Sequence, residues 1–215
     1  MRKPVVDAAI EAYAAAHTTP EPPYMAEAAR EGNELAPNML TGQLEGRLLT
    51  FLVQMLGARR ALDVGTFTGY SALSIAEGMG PDGRVITLEA DEKHVGIARR
   101  HFAASPHAAK IDLRFGQALE SMRDLEGRFD FVFIDADKSN YLAYYDRAVE
   151  LLAPAALIAI DNTLWYQQVL NPADGDADTS LMVAFNDYVV NDLRVECVML
   201  TVRDGLTLVR KRSAS

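Results

Sequence analysis

The spacing of apolar positions changes near residue 60. Before it, the Ala-rich segment 4–16 carries apolar residues at helical spacing, and TTPEPP (18–23) ends that helix because proline cannot continue it. A second short helix is expected to run to about Glu31. In NMLTGQLEGRLLTFLVQML, apolar residues from Leu44 onward recur every three or four positions, as in an amphipathic helix leading into a first strand. Beyond residue 60, strand-like runs at 60–65, 84–89, 111–115, 129–135 and 155–161 alternate mostly with helical spacers of 10 to 20 residues. Such alternation implies right-handed βαβ crossovers and a mainly parallel sheet with helices on both faces. RVECVMLTV and LTLVRK flank Asp204-Gly205, a hairpin signal, so an antiparallel pair should close one edge. The expected fold is α/β: a Rossmann-like, doubly wound, mostly parallel seven-stranded sheet with an antiparallel C-terminal strand pair and extra N-terminal helices. Residues 1–215 read as one domain, with 1–58 covering the site or a dimer interface and 59–215 forming the sheet core. One loop, NPADGDADTS (171–180), stands out by composition.

With 215 residues and 49% hydrophobic content, the chain can bury a substantial core. A net charge of -9 is a poor match to a polyanion, so nucleic-acid substrates are disfavoured. The single cysteine, Cys197, cannot form an internal disulfide and reads as a buried small hydrophobe, which fits a reducing cytoplasm. No signal-peptide pattern and no apolar run of membrane-spanning length is visible, and a soluble protein is expected.

Candidate chemistry begins in ALDVGTFTGYSAL (61–73), where an apolar strand ending near Asp63 turns through Gly65 and Gly69 into a helix. Such a turn sets backbone N–H groups and a helix N-terminus against a ligand. The pyrophosphate fingerprint G-x-G-x-x-G and the Lys-Ser/Thr of a triphosphate loop are both missing. Asp63, Thr66, Thr68 and Ser71 instead suit a ligand with an amine and a carboxylate: Asp63 for the ammonium, Ser71 and the amides for the carboxylate. Glu89 ends the next apolar run, 20 residues past Gly69, where an acid can accept both hydroxyls of a ribose. An amino-acid head plus a ribose describes S-adenosylmethionine.

The fourth strand ends FVFIDADKSNY and the fifth LIAIDNTLWY, so Asp135, Asp161 and Asn162 reach the same crevice on strands about 4.8 Å apart. Three oxygen donors without His or Cys suit an octahedral Mg²⁺, although strand-end acids also cap the helices that follow them. Lys138, three residues after Asp135 at a helix start, is placed for a general base with a lowered pKa. Trp165 either walls an aromatic substrate or anchors its loop in apolar packing. His17, His94, His101 and His107 read as surface or spacer residues.

In combination, DVGTFTGYS, FIDADKSNY, AIDNTLW and DGLTLVRK resemble the cation-dependent class I O-methyltransferases of the caffeoyl-CoA and catechol type, over about Met39 to Lys211. The resemblance implies that Met39, Thr41, Asp63, Gly65, Thr66, Ser71, Glu89, Ala118 and Asp137 contact S-adenosylmethionine. It also implies that Asp135, Asp161 and Asn162 bind the divalent cation, that Lys138 is the base, and that the protein is a homodimer whose N-terminal helices shape the substrate site. The family often carries Glu at the Asp63 position and Ser-Pro or Ser-Ala at Gly42-Gln43; Tyr166 stands where plant enzymes have a substrate-contacting Asn. The reaction implied is methyl transfer to one hydroxyl of a catechol-type diol or polyphenol. A small acceptor is expected over a CoA thioester, because Trp165 to Leu193 holds no Lys or Arg but does hold Asp174, Asp176, Asp178, Asp187 and Asp192, leaving Arg2, Lys3 and Arg30 as the unplaced cations. A nicotinamide oxidoreductase lacks its fingerprint here, and a non-catalytic nucleoside-binding module would not need Asp135, Asp161, Asn162 and Lys138.

Overall fold

The computed structural model describes residues 4–37, 39–173 and 175–212. Three helices come first: α1 (Ala8–Ala16), α2 (Pro23–Leu35) and α3 (Gln43–Leu56). α1 starts later than its Ala-rich segment suggests, because the Asp7 side chain accepts from Ala9 N at 2.9 Å and fixes the N-terminus there. α2 begins on Pro23 at its first turn and runs beyond Glu31 to Leu35.

The sheet strands are β1 (Arg60–Val64), β2 (Arg84–Glu89), β3 (Ile111–Phe115), β4 (Phe129–Ile134), β5 (Leu152–Ile160), β6 (Val195–Leu200) and β7 (Leu206–Lys211). Between them lie α4 (Tyr70–Gly78), α5 (Glu92–Ala104), α6 (Ala118–Arg123), α7 (Tyr141–Leu151) and α8 (Ala177–Asn191). The seven strands are ordered β3-β2-β1-β4-β5-β7-β6, a Rossmann-like arrangement in which β1 to β5 run parallel and β7 is antiparallel to both β5 and β6. Chain order reverses between β1 and β4, and their carboxyl ends open the crevice where ligands of such sheets bind.

Successive residues of a strand face opposite sides, so two apolar layers form. Leu62, Val64, Val132 and Ile134 pack with Tyr141, Tyr145 and Phe185 on one face. Ala61, Val85, Phe131 and Phe133 pack with Leu49, Val53, Leu73 and Phe102 on the other. Both faces are covered, which is why these strands read as continuous apolar runs rather than alternating ones.

Two boundaries depart from the sequence reading for local reasons. β5 begins at Leu152, ahead of the expected 155, and Pro154, which has no N–H to donate, is accommodated where the register between β4 and β5 shifts. The acidic loop gives way to α8 at Ala177, since Asp176 caps that helix by accepting from Thr179 N at 3.1 Å. Cys197 lies half-buried on β6 rather than fully inside. Among the described residues no helix is long and apolar enough to cross a membrane.

Candidate active site

A cleft of about 820 Å³ opens at the carboxyl ends of β1, β2, β4 and β5. Its position follows from backbone contact. Gly65 has φ +106°, and a Cβ there would lie 1.9 Å from the Asp135 carbonyl oxygen, so only glycine lets the turn after β1 press against the end of β4. That contact brings the glycine turn and Asp135 to one place.

On the β1–β2 side, Glu89 is held rigidly. One carboxylate oxygen accepts from Phe67 N at 2.8 Å and the other from Ala90 N and Asp91 N at 2.9 Å each. The oxygen bonded to Phe67 N keeps a lone pair for a further donor such as a ribose hydroxyl. His94 sits beside it, with Nδ1 3.7 Å from Glu89 and its ring edge-on to Phe67 at 4.9 Å. Gly65, Thr66, Ser71 and Ala118 line the same half, as do Met39 and Thr41 from the segment before α3. Asp137 also lines it; burial works against its charge, but donation from Tyr144, Ser139 and Asn140 holds its pKa below the usual value.

Asp63 lies fully buried beneath this wall. Its Oδ2 accepts from Thr87 at 2.6 Å and Ser71 at 3.2 Å, while Oδ1 has no hydrogen-bond partner. Burial pushes its pKa up to about 7 against the two hydroxyl donors. An orphaned acceptor in a buried carboxylate is suited to a cationic group such as an ammonium.

On the β4–β5 side, Asp135, Asp161, Asn162 and Lys138 converge. Lys138 Nζ donates to Asn162 Oδ1 at 2.6 Å, lies 3.4 Å from Asp135 Oδ1, and donates to the Tyr141 hydroxyl. Its ammonium also stands 4.3 Å from the Tyr141 ring and 5.7 Å from the Trp165 ring. Asp161 is buried, and burial followed by the charge of Asp135 pushes its pKa up to about 8. The donor set already gathers a positive charge, and its hard oxygens fit an octahedral cation of the Mg²⁺ kind. Among the described residues, however, no three His, Cys, Asp or Glu side chains close on one point as a ready metal cluster.

Asn162 has φ +60°, and the loop after it runs through three further left-handed residues, Trp165, Tyr166 and Gln167. The loop is fastened to the hairpin: Thr163 N donates to Gly205 O at 3.0 Å and Leu164 N to Asp204 O at 2.9 Å. Trp165 is buried in the apolar cluster with Tyr141 and also lines the cleft beside Tyr166.

Three cleft residues went unrecognised in the sequence. Glu45 on α3 is completely buried, and neither of its carboxylate oxygens has a hydrogen-bond partner. Burial, then the charges of Asp161 and Asp135, hold its pKa well above the carboxylate range. Its signal was an acid on the buried face of an otherwise apolar helix. Arg203, before β7, donates to the carbonyls of Thr41 at 3.0 Å and Leu40 at 3.2 Å and pairs with Glu11 of α1. No periodicity marks it. His94, partly exposed, lines the cleft, which corrects its reading as a spacer; His101 is buried rather than at the surface, 2.8 Å from Glu31 across α2 and α5.

The fold and this site define a nucleoside-binding methyltransferase, and the comparisons with known proteins agree. A family model described as O-methyltransferase matches residues 15–212. The chain is 35% identical over 185 residues to caffeoyl-CoA O-methyltransferase 2 of Zea mays, covering 80% of this chain and 70% of that protein. It is 37% identical over 172 residues to catechol O-methyltransferase domain-containing protein 1 of Mus musculus, covering 78% and 66%. A solved O-methyltransferase from Bacillus cereus in complex with SAH superposes with a TM-score of 0.87 at 30% identity, covering 95% of this chain and 97% of that one. The chain belongs to the O-methyltransferase family, in the caffeoyl-CoA and catechol branch, and is an S-adenosylmethionine-dependent O-methyltransferase.

Proposed function

We propose that the protein methylates one hydroxyl of a small catechol or polyphenol, with a divalent cation, most readily Mg²⁺, held by Asp135, Asp161 and Asn162. The observation that carries this reading is the convergence of those oxygen donors with Lys138 Nζ at one end of the cleft. The cofactor contacts are assigned to Met39, Thr41, Gly65, Thr66, Ser71, Glu89, Ala118 and Asp137 on the wall, with Asp63 acting from beneath it. Trp165 and Tyr166 are assigned to the aromatic acceptor. Residues 1–215 then act as one methyltransferase domain, and the reach of Arg203 to Glu11 and the carbonyls before α3 supports that unity.

When bound, a divalent cation supplies Lewis acidity that lowers the pKa of a hydroxyl presented to it. Lys138 Nζ, beside Asp135 and Asn162, stands where it can take up the hydroxyl proton. The acceptor oxygen's lone pair forms the new C–O bond as the methyl–sulfur bond breaks, and S-adenosylhomocysteine leaves with that electron pair. Nucleophile and sulfonium charges cancel along this path, so the walls act mainly by alignment and by excluding water, alignment being worth about 7–11 kcal/mol at best.

The alternative acceptor, a CoA thioester, carries phosphates that are normally met by Arg or Lys. Lys138 and Arg203 are the Lys and Arg side chains on the described cleft wall, and both are engaged. Arg30 is occupied by Glu27 and Glu34, while Arg2, Lys3 and Asp174 lie outside the described residues. The test is methyl transfer from labelled S-adenosylmethionine to a simple catechol and to caffeoyl-CoA at low ionic strength, with Mg²⁺ and with excess chelator. Catechol turnover abolished by chelator, with S-adenosylmethionine affinity retained, is expected. Full activity of verified metal-free protein would sink the cation reading, and a kcat/KM clearly favouring the thioester would sink the acceptor reading.

A further inference from the structure

Glu45 is absent from every role assigned so far, yet burying an unpaired carboxylate is among the costlier things a fold can do. Its relative exposure is 0%, both carboxylate oxygens lack hydrogen-bond partners, and the side chain reaches the wall of the cleft. The helix that carries it is held firmly. At Gly46, next in sequence, an added Cβ would lie 2.6 Å from the Tyr70 ring, so α3 and α4 are in close contact. Thr50 Oγ1, one turn on, donates to Ser74 O at 2.9 Å. The position of Glu45 is therefore imposed by helix packing.

Its neighbours leave it uncompensated. Asp135 and Asp161 face it, and the nearby guanidinium of Arg203 is committed to Glu11 and to the carbonyls of Leu40 and Thr41. Lys138 is taken up by Asp135, Asn162 and Tyr141. Three carboxylates thus share this end of the cleft with an ammonium and a guanidinium that are already engaged.

We propose that Glu45 is the third carboxylate of the cation site, acting through a water of the bound cation. The three carboxylates do not close on one point for direct ligation, and Mg²⁺ ordinarily keeps several of its waters. Glu45 thus supplies charge and a water acceptor from α3, an element separate from the strands that carry the other two carboxylates. The proposal rests on the cation-dependent reading of Asp135, Asp161 and Asn162.

The experiment measures Mn²⁺ affinity by electron paramagnetic resonance, without acceptor, beside S-adenosylmethionine affinity by calorimetry. Outer partners of metal sites typically contribute about 10–100-fold in affinity. E45Q, which keeps the shape and removes the charge, should weaken Mn²⁺ binding by at least about tenfold in that range and leave the cofactor dissociation constant within about twofold. E45D should fall between E45Q and the unaltered protein, and it carries the test if E45Q does not fold. Mn²⁺ affinity unchanged in the folded variant overturns the proposal. So does a loss confined to S-adenosylmethionine, which would place Glu45 on the cofactor's ammonium. Asp161→Asn separates the two readings: if it weakens Mn²⁺ binding and E45Q does not, only the role of Glu45 falls; if neither does, the cation site itself falls.

Discussion

The two halves of the cleft solve the problem of buried charge in opposite ways. On the β1–β2 side, Glu89 is satisfied by three backbone amides and Asp63 by two hydroxyls, with one oxygen left over. On the β4–β5 side, Asp161 is buried close to Asp135, and Glu45 has no hydrogen-bond partner at all. One half is finished by the chain itself but for a single oxygen of Asp63, whereas the other leaves both oxygens of Glu45 unpaired beside two further carboxylates. A preorganised surface suits a cofactor that every turnover requires in the same pose. An electrostatically incomplete one makes its own completion a condition of chemistry.

The sharpest way to break this contrast is Lys138→Ala. It should lower the methyl-transfer rate by about 10²–10⁴, the usual range for a general base, while S-adenosylmethionine affinity by calorimetry changes little. Near-native turnover across pH with a weakly acidic phenol would reduce Lys138 to a structural cation.

Glu89→Gln should act on the other half and in the opposite sense. Hydrogen bonds to a charged partner are worth about 1.5–3 kcal/mol, so the dissociation constant for S-adenosylmethionine should rise by about 10–100-fold, with kcat at saturating cofactor within about threefold. A kcat defect without an affinity defect would mean that Glu89 serves only to hold the Phe67 turn.

The smallest expected effect concerns Asp63 in the ligand-free protein. Its folded pKa is raised, to about 7, so between the unfolded value and about 7 the native state binds more protons than the unfolded one. This contribution to stability is fully present below the unfolded pKa and is lost as pH rises through about 7. Thermal melts from pH 5 to 8 should show stability falling with pH, and Asp63→Asn should flatten that slope. Equal slopes in the two proteins would mean that the Thr87 and Ser71 hydroxyls hold the carboxylate ionised throughout.

The same division explains what the sequence disclosed. Strand ends are local, so Asp135, Asp161 and Asn162 could be assigned to one crevice from two short runs, and the structure brings them together there. The turn at Gly65 and the acid at Glu89 were equally legible, because hydrophobic runs bounded by glycine fix where a buried parallel strand stops. Glu45, Arg203 and His94 were not, since each joins the cleft only through packing between elements far apart in the chain. α8 was obscured by its own capping acids, which resemble a loop until the Asp176 carboxylate is seen accepting from Thr179 N at the helix start.

The place of β7 between β5 and β6 sets an order of events during synthesis. Ile158 pairs with Val209, so β5 leaves the ribosome well before its partner strand exists. The carbonyls of Asp204 and Gly205, which fasten the loop after Asn162, arrive equally late. At about 5–20 residues per second, the interval between Ile158 and Val209 lasts seconds, far longer than a helix needs to form. The loop after Asn162 therefore stays unfastened until Asp204 and Gly205 have been translated, and the acceptor end of the cleft is the last part to be completed.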